Sequence, residues 1–593
     1  MKTVQEKISK QMTYVKDQVI NGENRDWFNV INMESGSGKS IAAQSALGAL
    51  YKLYPDRKSL YVMKFKDTDK ENNGLCTVQQ RINECAGAKI AIAIDSDNFT
   101  RMKDKIKNFP VIIITHERYR RLSLNSTARK IFTEGRSNLI IDEEIDMLQT
   151  YEDSLFRINS FENILPHKAK LKEIYVECVK QIKEAMVKVK IKGEETSNKT
   201  KFISLIYDVD MKKKFKIIRE LMDRSITNEH ARQYQKNILT CKKNENQDMT
   251  KKDFMDEIEL IKKFYMNVCY VNANSIYTYN NKIKYWRLEN NILLDASGGF
   301  NHCYKIASHL FKCSNQSKIF DHSKWVIKVS YNNVTKTAIN SYLNYDEELE
   351  RLIGEITMNG RQMLIVTSKE YEEKLKEKYY KNIDINHFGN IIGKNTWRDY
   401  SQILIPLTYN LPEHVYILKY LYYSNNNIQI STEPRNPKGK MREFINSDLE
   451  KIRVSFIAGE IYQAIKRIDR NVTMNTEVFL ICVDPKVVET VLKQLVNCKR
   501  DGFFFWVKRK EKQKKEYDTS TRRIECHTNN FIDLLSTIGV GKYQKKELRF
   551  KLGITKSPNF SRIFLDEAFI KFIDKNKINI GNRFIEIVQP VQI

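Results

Sequence analysis

Residues 29–43, NVINMESGSGKSIAA, decide how the rest of the chain is read. Apolar Phe28, Val30 and Ile31 predict a buried strand, MESGSGKS a tight loop, and residues 41–50 an Ala-rich helix. Gly36 and Gly38 let backbone N–H groups converge on phosphate oxygens at the start of that helix, so Ser35, Gly36, Ser37 and Gly38 form the expected cradle. Lys39 then reaches the terminal phosphates, and the Ser40 hydroxyl ligates Mg²⁺. The GxxxxGK[ST] pattern usually opens on glycine, and Met33 stands there instead. The strand before and the helix after separate this stretch from a chance GSGKS in a loop. Nucleotide binding is the working expectation.

At 593 residues the chain is expected to form several domains, and 41% hydrophobic residues suffice for sizeable cores. A formal charge of +27 favours a polyanionic partner, nucleic acid first, against the alternatives of a Lys-rich proteome or an acidic membrane surface. No apolar run approaches a bilayer-spanning length, so no membrane partner is expected. The opening MKTVQEKISKQ lacks the apolar core of a signal peptide, and the expectation is a cytoplasmic protein. The ten cysteines form no CxxC pair, and the nine histidines form no HExxH. Zinc and iron–sulfur clusters are therefore not signalled, and Mg²⁺ brought by a nucleotide is the one metal expected.

Residues 4–20 read as a helix before the phosphate loop. Gln11 lies there at a spacing suited to reading adenine, with an ordinary surface glutamine as the alternative. Short β-branched runs at 59–65, 88–94 and 110–115 alternate with helical stretches at 77–85 and 115–132. That alternation predicts a parallel sheet with ligands at the strand C-termini. The pairs Asp95/Asp97 and Asp208/Asp210 lack the other ligands of a calcium loop and read as solvated turns. NLIIDEEIDML at 138–148 ends an apolar run in Asp142, Glu143 and Glu144. Three acids at a strand end need a cation or hydrogen-bond donors. Asp142 is expected to hold Mg²⁺, through water, and Glu143 to orient or deprotonate the attacking water.

Residues 151–286 are Lys-rich and dominated by helical periodicity, with GEETSNKTK at 193–201 as a loop. They read as a helical insertion, because the sheet pattern resumes with NNILLDASGG at 291–299. A second strand–helix series begins near Lys324, and EIYQAIKRIDR at 460–470 predicts a helix with Gln463, Arg467 and Arg470 on one face. Two sheets with a cleft between them follow. Beyond an aromatic and basic run at 503–523, a linker or a nucleic-acid contact, helices at 531–537, 543–552, 559–565 and 566–576 precede a terminal strand, NRFIEIV. This spacing suits a winged helix in which Ser557, Asn559 and Arg562 face DNA. GVGK at 539–542 imitates a phosphate loop but has Tyr543 where Ser or Thr is needed, and is rejected.

With both halves in view, the chain resembles the superfamily 2 (DEAD/DEAH-like) helicases. MESGSGKS looks like motif I, THERY at Thr115 motif Ib, LIIDEEID motif II, LLDASG motif III, LIVTS motif IV, GKNTWRD motif V and QAIKRIDR motif VI. The matches run in order over residues 30–470; I, II and VI are specific together, and III, IV and V are loose. The resemblance implies an α/β fold of two RecA-like parallel-sheet domains with ATP between them. Arg467 and Arg470 would approach the γ-phosphate from the second domain, the latter as arginine finger. Thr115 and Ser297 would serve the nucleic-acid side, Ser297 linking it to nucleotide state. The expected domains are 1–150 and 289–322 (first RecA-like domain), 151–288 (basic helical insertion, a wedge, clamp or platform for protein partners), 323–500 (second RecA-like domain) and 501–593 (linker and small winged-helix-like domain). The expected activity is ATP-driven helicase or translocase action, on single-stranded or forked DNA ahead of RNA, in replication, recombination or mobile-element maintenance. The alternative is an ATP-switched DNA-binding regulatory protein that does not unwind.

Overall fold

The computed structural model describes residues 3–64, 74–165, 169–192, 201–239, 248–272, 274–378, 382–391, 394, 396–435, 441–510, 527–532, 534–536, 538, 540–552, 554, 560–561, 563–564, 566–581 and 583–588. They form two compact units, one of residues 1–340 and 344–506, the other of 341–343 and 507–593.

The phosphate-loop strand Phe28–Ile31 is buried along its whole length, because it has neighbours on both sides in a seven-stranded sheet. The strand order is Phe311–Ser314, Phe28–Ile31, Asn290–Leu294, Arg136–Asp142, Lys58–Met63, Val111–Thr115, Ala91–Ala93. All the pairings are parallel. A strand covered by helices on both faces reads as an unbroken apolar run, as LIID and VIII do here. The helix Val4–Asn21 starts on a capping box between Thr3 and Glu6. The single helix expected at 115–132 is two, His116–Leu122 and Ser126–Thr133. Asn125 takes the amide of Ala128 and starts a new helix.

The insertion is not purely helical. Its helices Leu155–Ile164, Ala169–Lys192, Val209–Ser225, Asn228–Leu239 and Lys251–Met266 pack with an antiparallel sheet of four strands, Thr150–Ser154, Ser275–Tyr279, Cys269–Asn272 and Phe202–Ile203. Thr150–Ser154 pairs with Ser275–Tyr279, so the segment opens and closes on adjacent strands. Cross-strand pairing more than a hundred residues apart leaves no local periodicity. Asp208 caps the helix Val209–Ser225, and Asp95 accepts the amides of Asp97 and Asn98 in a turn. Among the described residues no cluster of three or more His, Cys, Asp or Glu could hold a metal ion.

A second parallel sheet has the order Ile383–His387, Met363–Thr367, Gln402–Ile405, Thr476–Ile481, Trp325–Ser330, Lys499–Gly502. Its edge strand Lys499–Gly502 runs past the expected boundary at 500, because Val326 to Val329 extend the ladder to it. The molecule is thus a mixed α/β protein with two parallel sheets. The helix Glu413–Tyr423, unforeseen in the sequence, belongs chemically to both halves. Its Tyr416, Ile417, Leu421 and Tyr423 share one buried cluster with Phe28, Leu139 and Trp286 of the first half.

The smaller unit buries Phe531, Leu548, Ile563, Phe569 and Ile585 together. It has an antiparallel sheet in the order Gly541–Gln544, Phe584–Ile587, Asn579–Ile580 and helices Lys545–Lys551 and Glu567–Lys575. The helix expected from 543 begins as a strand, because Gly541–Gln544 pairs with the terminal strand. Ser557, Asn559 and Arg562, expected to face DNA, lie outside the described residues, as do 193–200, Gly393 and Asn395 of the expected loops. No described helix is long and apolar enough to cross a membrane.

Candidate nucleotide site

Beyond Ile31 the backbone turns through Gly36 and Gly38 at φ 87° and 88°, a left-handed conformation that glycine adopts without a Cβ penalty. Ser37 closes the loop on itself, its amide and hydroxyl donating to the Glu34 carbonyl at 3.2 and 2.7 Å. Gly38 is the N-cap of the helix Lys39–Leu53, so free amides converge on the cradle. The Lys39 ammonium lies 3.4 Å from the Met33 carbonyl. Burial holds it below the usual lysine range, with Asp142, Asp295 and Glu143 pulling the other way.

Opposite it, the strand Arg136–Asp142 delivers its acids. The Ser40 hydroxyl donates to Asp142 Oδ1 at 2.8 Å, and the Tyr61 hydroxyl to Asp142 Oδ2 at 2.6 Å. His116 Nε2 contacts the Asp142 carbonyl at 2.9 Å. Burial pushes the Asp142 carboxyl up, against these two hydroxyls and Lys39. Glu143 has φ 74°, unusual for a residue with a side chain and held by the hydrogen bond that its backbone N–H donates to the Leu294 carbonyl at 3.0 Å. Such a backbone costs about 1–3 kcal/mol and persists where surrounding structure imposes it. Burial raises the Glu143 carboxyl too, with Arg467 as the main opposing charge.

Arg467 and Arg470 come from the second sheet's side and, with Lys39, Ser40, Asp142 and Glu143, line one cavity of about 220 Å³. A Cβ added to Gly36 would lie 3.7 Å from the Arg470 carbonyl, so the turn sits directly on the loop. Both arginine Nε atoms are buried without a hydrogen-bond partner. Burial lowers both guanidinium groups, Arg470 to about 10, while Glu143 raises them. Two desolvated cations and unpartnered donors facing a glycine cradle fit a polyanion. The oxygen donors Ser40 and Asp142 fit a hard cation such as Mg²⁺.

The arginines do not sit on a helix. The helix Ser447–Ile465 ends before them, and they occupy a turn in which Asp469 has φ 35°. Asp469 receives the amides of Thr473 and Met474, the Trp325 indole N–H and the Thr476 hydroxyl. Gln463 stays on the helix and lines a separate cavity of about 530 Å³ with Glu144, Asn301, Lys419 and Glu460, its Oε1 buried and unpartnered. Lys64 and Glu143 border both cavities. Gln463 therefore does not share a face with Arg467 and Arg470.

Three other expected site residues have defined surroundings. Gln11 is neither a surface residue nor part of the nucleotide cavity: it is buried, and its amide donates to the Ser317 carbonyl at 2.6 Å. The Thr115 hydroxyl caps the helix His116–Leu122, accepting the Arg118 amide. Ser297 is 5% exposed, its hydroxyl donates to Asp295 Oδ1 at 2.6 Å, and it borders the cavity of about 530 Å³. It faces Gly459 of the helix leading to the arginines, where an added Cβ would lie 4.0 Å from Ser297 Cβ. Tyr61, His116, Asp295 and Asp469 went unnoticed in the sequence. Tyr61 and His116 act through Asp142 and Asp469 through Trp325, partners distant in the chain, whereas Asp295 is held by Ser297 and Tyr304 close by. His116, Asp295 and Asp469 lie inside THERY, LLDASG and QAIKRIDR, which is the signal that could have found them.

Residues 3–172 match the family described as DEAD/DEAH box helicase. No curated protein matches the chain. Similar solved structures include a variant of S. cerevisiae Dbp5 bound to RNA and ADP BeF3, at 11% identity over 83% of this chain and 89% of that one, with a TM-score of 0.36. The DUF1998 helicase MrfA bound to DNA is 8% identical over 99% of this chain and 62% of that one, with a TM-score of 0.35. Scores this low leave function to be argued from the residues themselves.

Proposed function

We propose that the chain is an ATP-dependent nucleic-acid helicase or translocase, acting on single-stranded or forked DNA in replication, recombination or mobile-element maintenance. The observation that carries this reading is the meeting of Lys39 with Arg467 and Arg470 around one cavity. In this reading the Gly36 and Gly38 turn cradles the phosphates, and Ser40 and Asp142 hold Mg²⁺. The ion would supply charge neutralisation at the terminal phosphates. Glu143 orients and deprotonates the attacking water, for which its raised carboxyl is suited. Arg467 and Arg470 meet the charge that develops on the transferred phosphoryl group, Arg470 as the finger, an effect worth about 10³–10⁵ in rate in comparable sites.

A net charge of +27 supports a polyanionic track. DNA is favoured over RNA because the smaller unit joins short helices to a three-stranded antiparallel sheet, as a winged helix does. A second reading, an ATP-switched DNA-binding regulator without unwinding, draws support from the core shared through the helix Glu413–Tyr423, which limits how far the halves can part.

The test is ATP turnover measured in parallel with single-stranded DNA, duplex DNA and RNA, together with strand displacement on a forked substrate. Lys39→Ala should abolish turnover and leave nucleic-acid binding intact. Full hydrolysis by that variant would remove the phosphate-loop assignment. Turnover without displacement or translocation would favour the switch.

A further inference from the structure

Between the phosphate loop and the arginine turn lies a sealed ionic group to which no step above assigns a task. Glu34, inside MESGSGKS, and Lys466, immediately before Arg467, have side chains with 0% exposure, and Glu34 Oε1 lies 3.7 Å from Lys466 Nζ. The other Glu34 oxygen accepts the amides of Ile319 and Phe320 at 2.9 and 3.2 Å, in the segment connecting the two sheets. Lys466 Nζ donates to His322 Nε2 at 3.1 Å and lies over the rings of Phe320 and Trp325, at 4.7 and 5.4 Å from their centroids. Burial and the neighbouring Lys466 push the His322 ring down to about 3, so it is a neutral acceptor. Asp469, Lys318 and Arg470 are the other charged groups that act on Lys466, and Lys318 also interacts with Glu34. The same connecting segment is gripped twice more from the first half, by Gln11 on the Ser317 carbonyl and by Asn32 on the Gln316 amide.

A buried ion pair is a poor way to gain stability, since desolvation offsets the attraction and apolar replacement is often neutral. Its value here is positional. Lys466 is the residue bonded to Arg467, and Asp469 ties the far side of the same turn to the second sheet through Trp325 and Thr476. One carboxylate thus touches the loop, the connecting segment and the turn together.

We propose that Glu34 and Lys466 are positioning residues that register the arginine turn against the phosphate loop across the seam between the two halves. The idea rests on the ATPase reading above. The pair touches no reacting atom; it sets where Arg467 and Arg470 stand when the terminal phosphate is transferred. Without it, the ground state still binds nucleotide, because the cradle of Gly36, Gly38 and Lys39 is intact, but the transition-state contact is misplaced.

The experiment is a double-mutant cycle on the full chain with Glu34→Gln, Lys466→Met and both together. It is read by steady-state ATP turnover and by hydrogen exchange of the backbone amides over residues 466–474. Each single variant should lower kcat about 100-fold, as a displacement of one ångström can, with KM for ATP changed by no more than about twofold. The double variant should recover at least about tenfold over the worse single, because it leaves no unpaired buried charge. Exchange over 466–474 should speed up in both singles and slow again in the double. Additive losses, a rise in KM that accounts for the defect, or unchanged exchange would overturn the proposal. If the unmodified chain hydrolyses no ATP, the ATPase reading fails and exchange alone decides the pair. Faster exchange in both singles then supports the registering role, and equal exchange in all four proteins refutes it.

Discussion

Asp469→Asn is the substitution on which the arginine turn stands or falls. The side chain is 1% exposed. Its Oδ2 accepts from the Trp325 indole at 2.9 Å, the Met474 amide at 3.2 Å and the Thr476 hydroxyl at 2.8 Å, and Oδ1 accepts from the Thr473 amide at 3.0 Å. Asparagine fits the volume but has one acceptor oxygen. In its best orientation that oxygen keeps the three Oδ2 partners and sets an NH₂ group against the Thr473 amide. The lost charge-assisted bond is worth about 1.5–3 kcal/mol, and weakening the other three adds roughly 2 kcal/mol, for a sum of about 4 kcal/mol. That loss falls on the turn between Arg467 and Arg470, where a shift of about 1 Å lowers turnover about 100-fold. Steady-state ATP turnover, paired with hydrogen exchange over residues 473–481, measures both effects. Loss of protection with an unchanged kcat would show that this anchor does not position the arginines. Full protection would show that the carboxylate is not the anchor.

Glu143→Gln should keep nucleotide affinity and slow hydrolysis by at least about 100-fold, leaving the ATP-bound state populated; filter-binding of ATP beside turnover checks it, and normal turnover would reassign the base. The Glu144 carboxyl, which accepts from Asn301 at 2.9 Å, is pushed up to about 7 by burial, while Lys419 opposes. Because its folded pKa is raised, the native state takes up the proton first. Its contribution is therefore destabilising above about pH 7 and is relieved as pH falls towards the ordinary glutamate range. Glu144→Gln should flatten that part of the stability–pH curve, and an unaltered curve measured by denaturant titration would assign the effect elsewhere. Nucleic-acid affinity should drop by about 10³-fold or more between 50 and 200 mM salt if six or more phosphates are contacted. A flat salt titration would count against the charge argument.

The local sequence determined the parts that need only their neighbours. A strand, two glycines at positive φ, a lysine and a serine make the cradle wherever that order occurs, and an apolar run ending in Asp142 and Glu143 marks its own strand end. Alternating strand and helix patterns gave both parallel sheets, because β-branched runs buried on two faces are legible residue by residue. Tertiary structure alone decided what depends on distant pairing. The insertion's sheet joins Thr150–Ser154 to Ser275–Tyr279. Gln11 turned from a candidate adenine reader into a clamp on Ser317, and the arginines moved from a helix face to a turn held by Asp469. The buried Glu34–Lys466 pair was invisible too, since nothing along a chain announces that a glutamate and a lysine more than four hundred residues apart will lose their water together. Backbone preference is written locally, whereas desolvation and partner choice exist only once the halves have met.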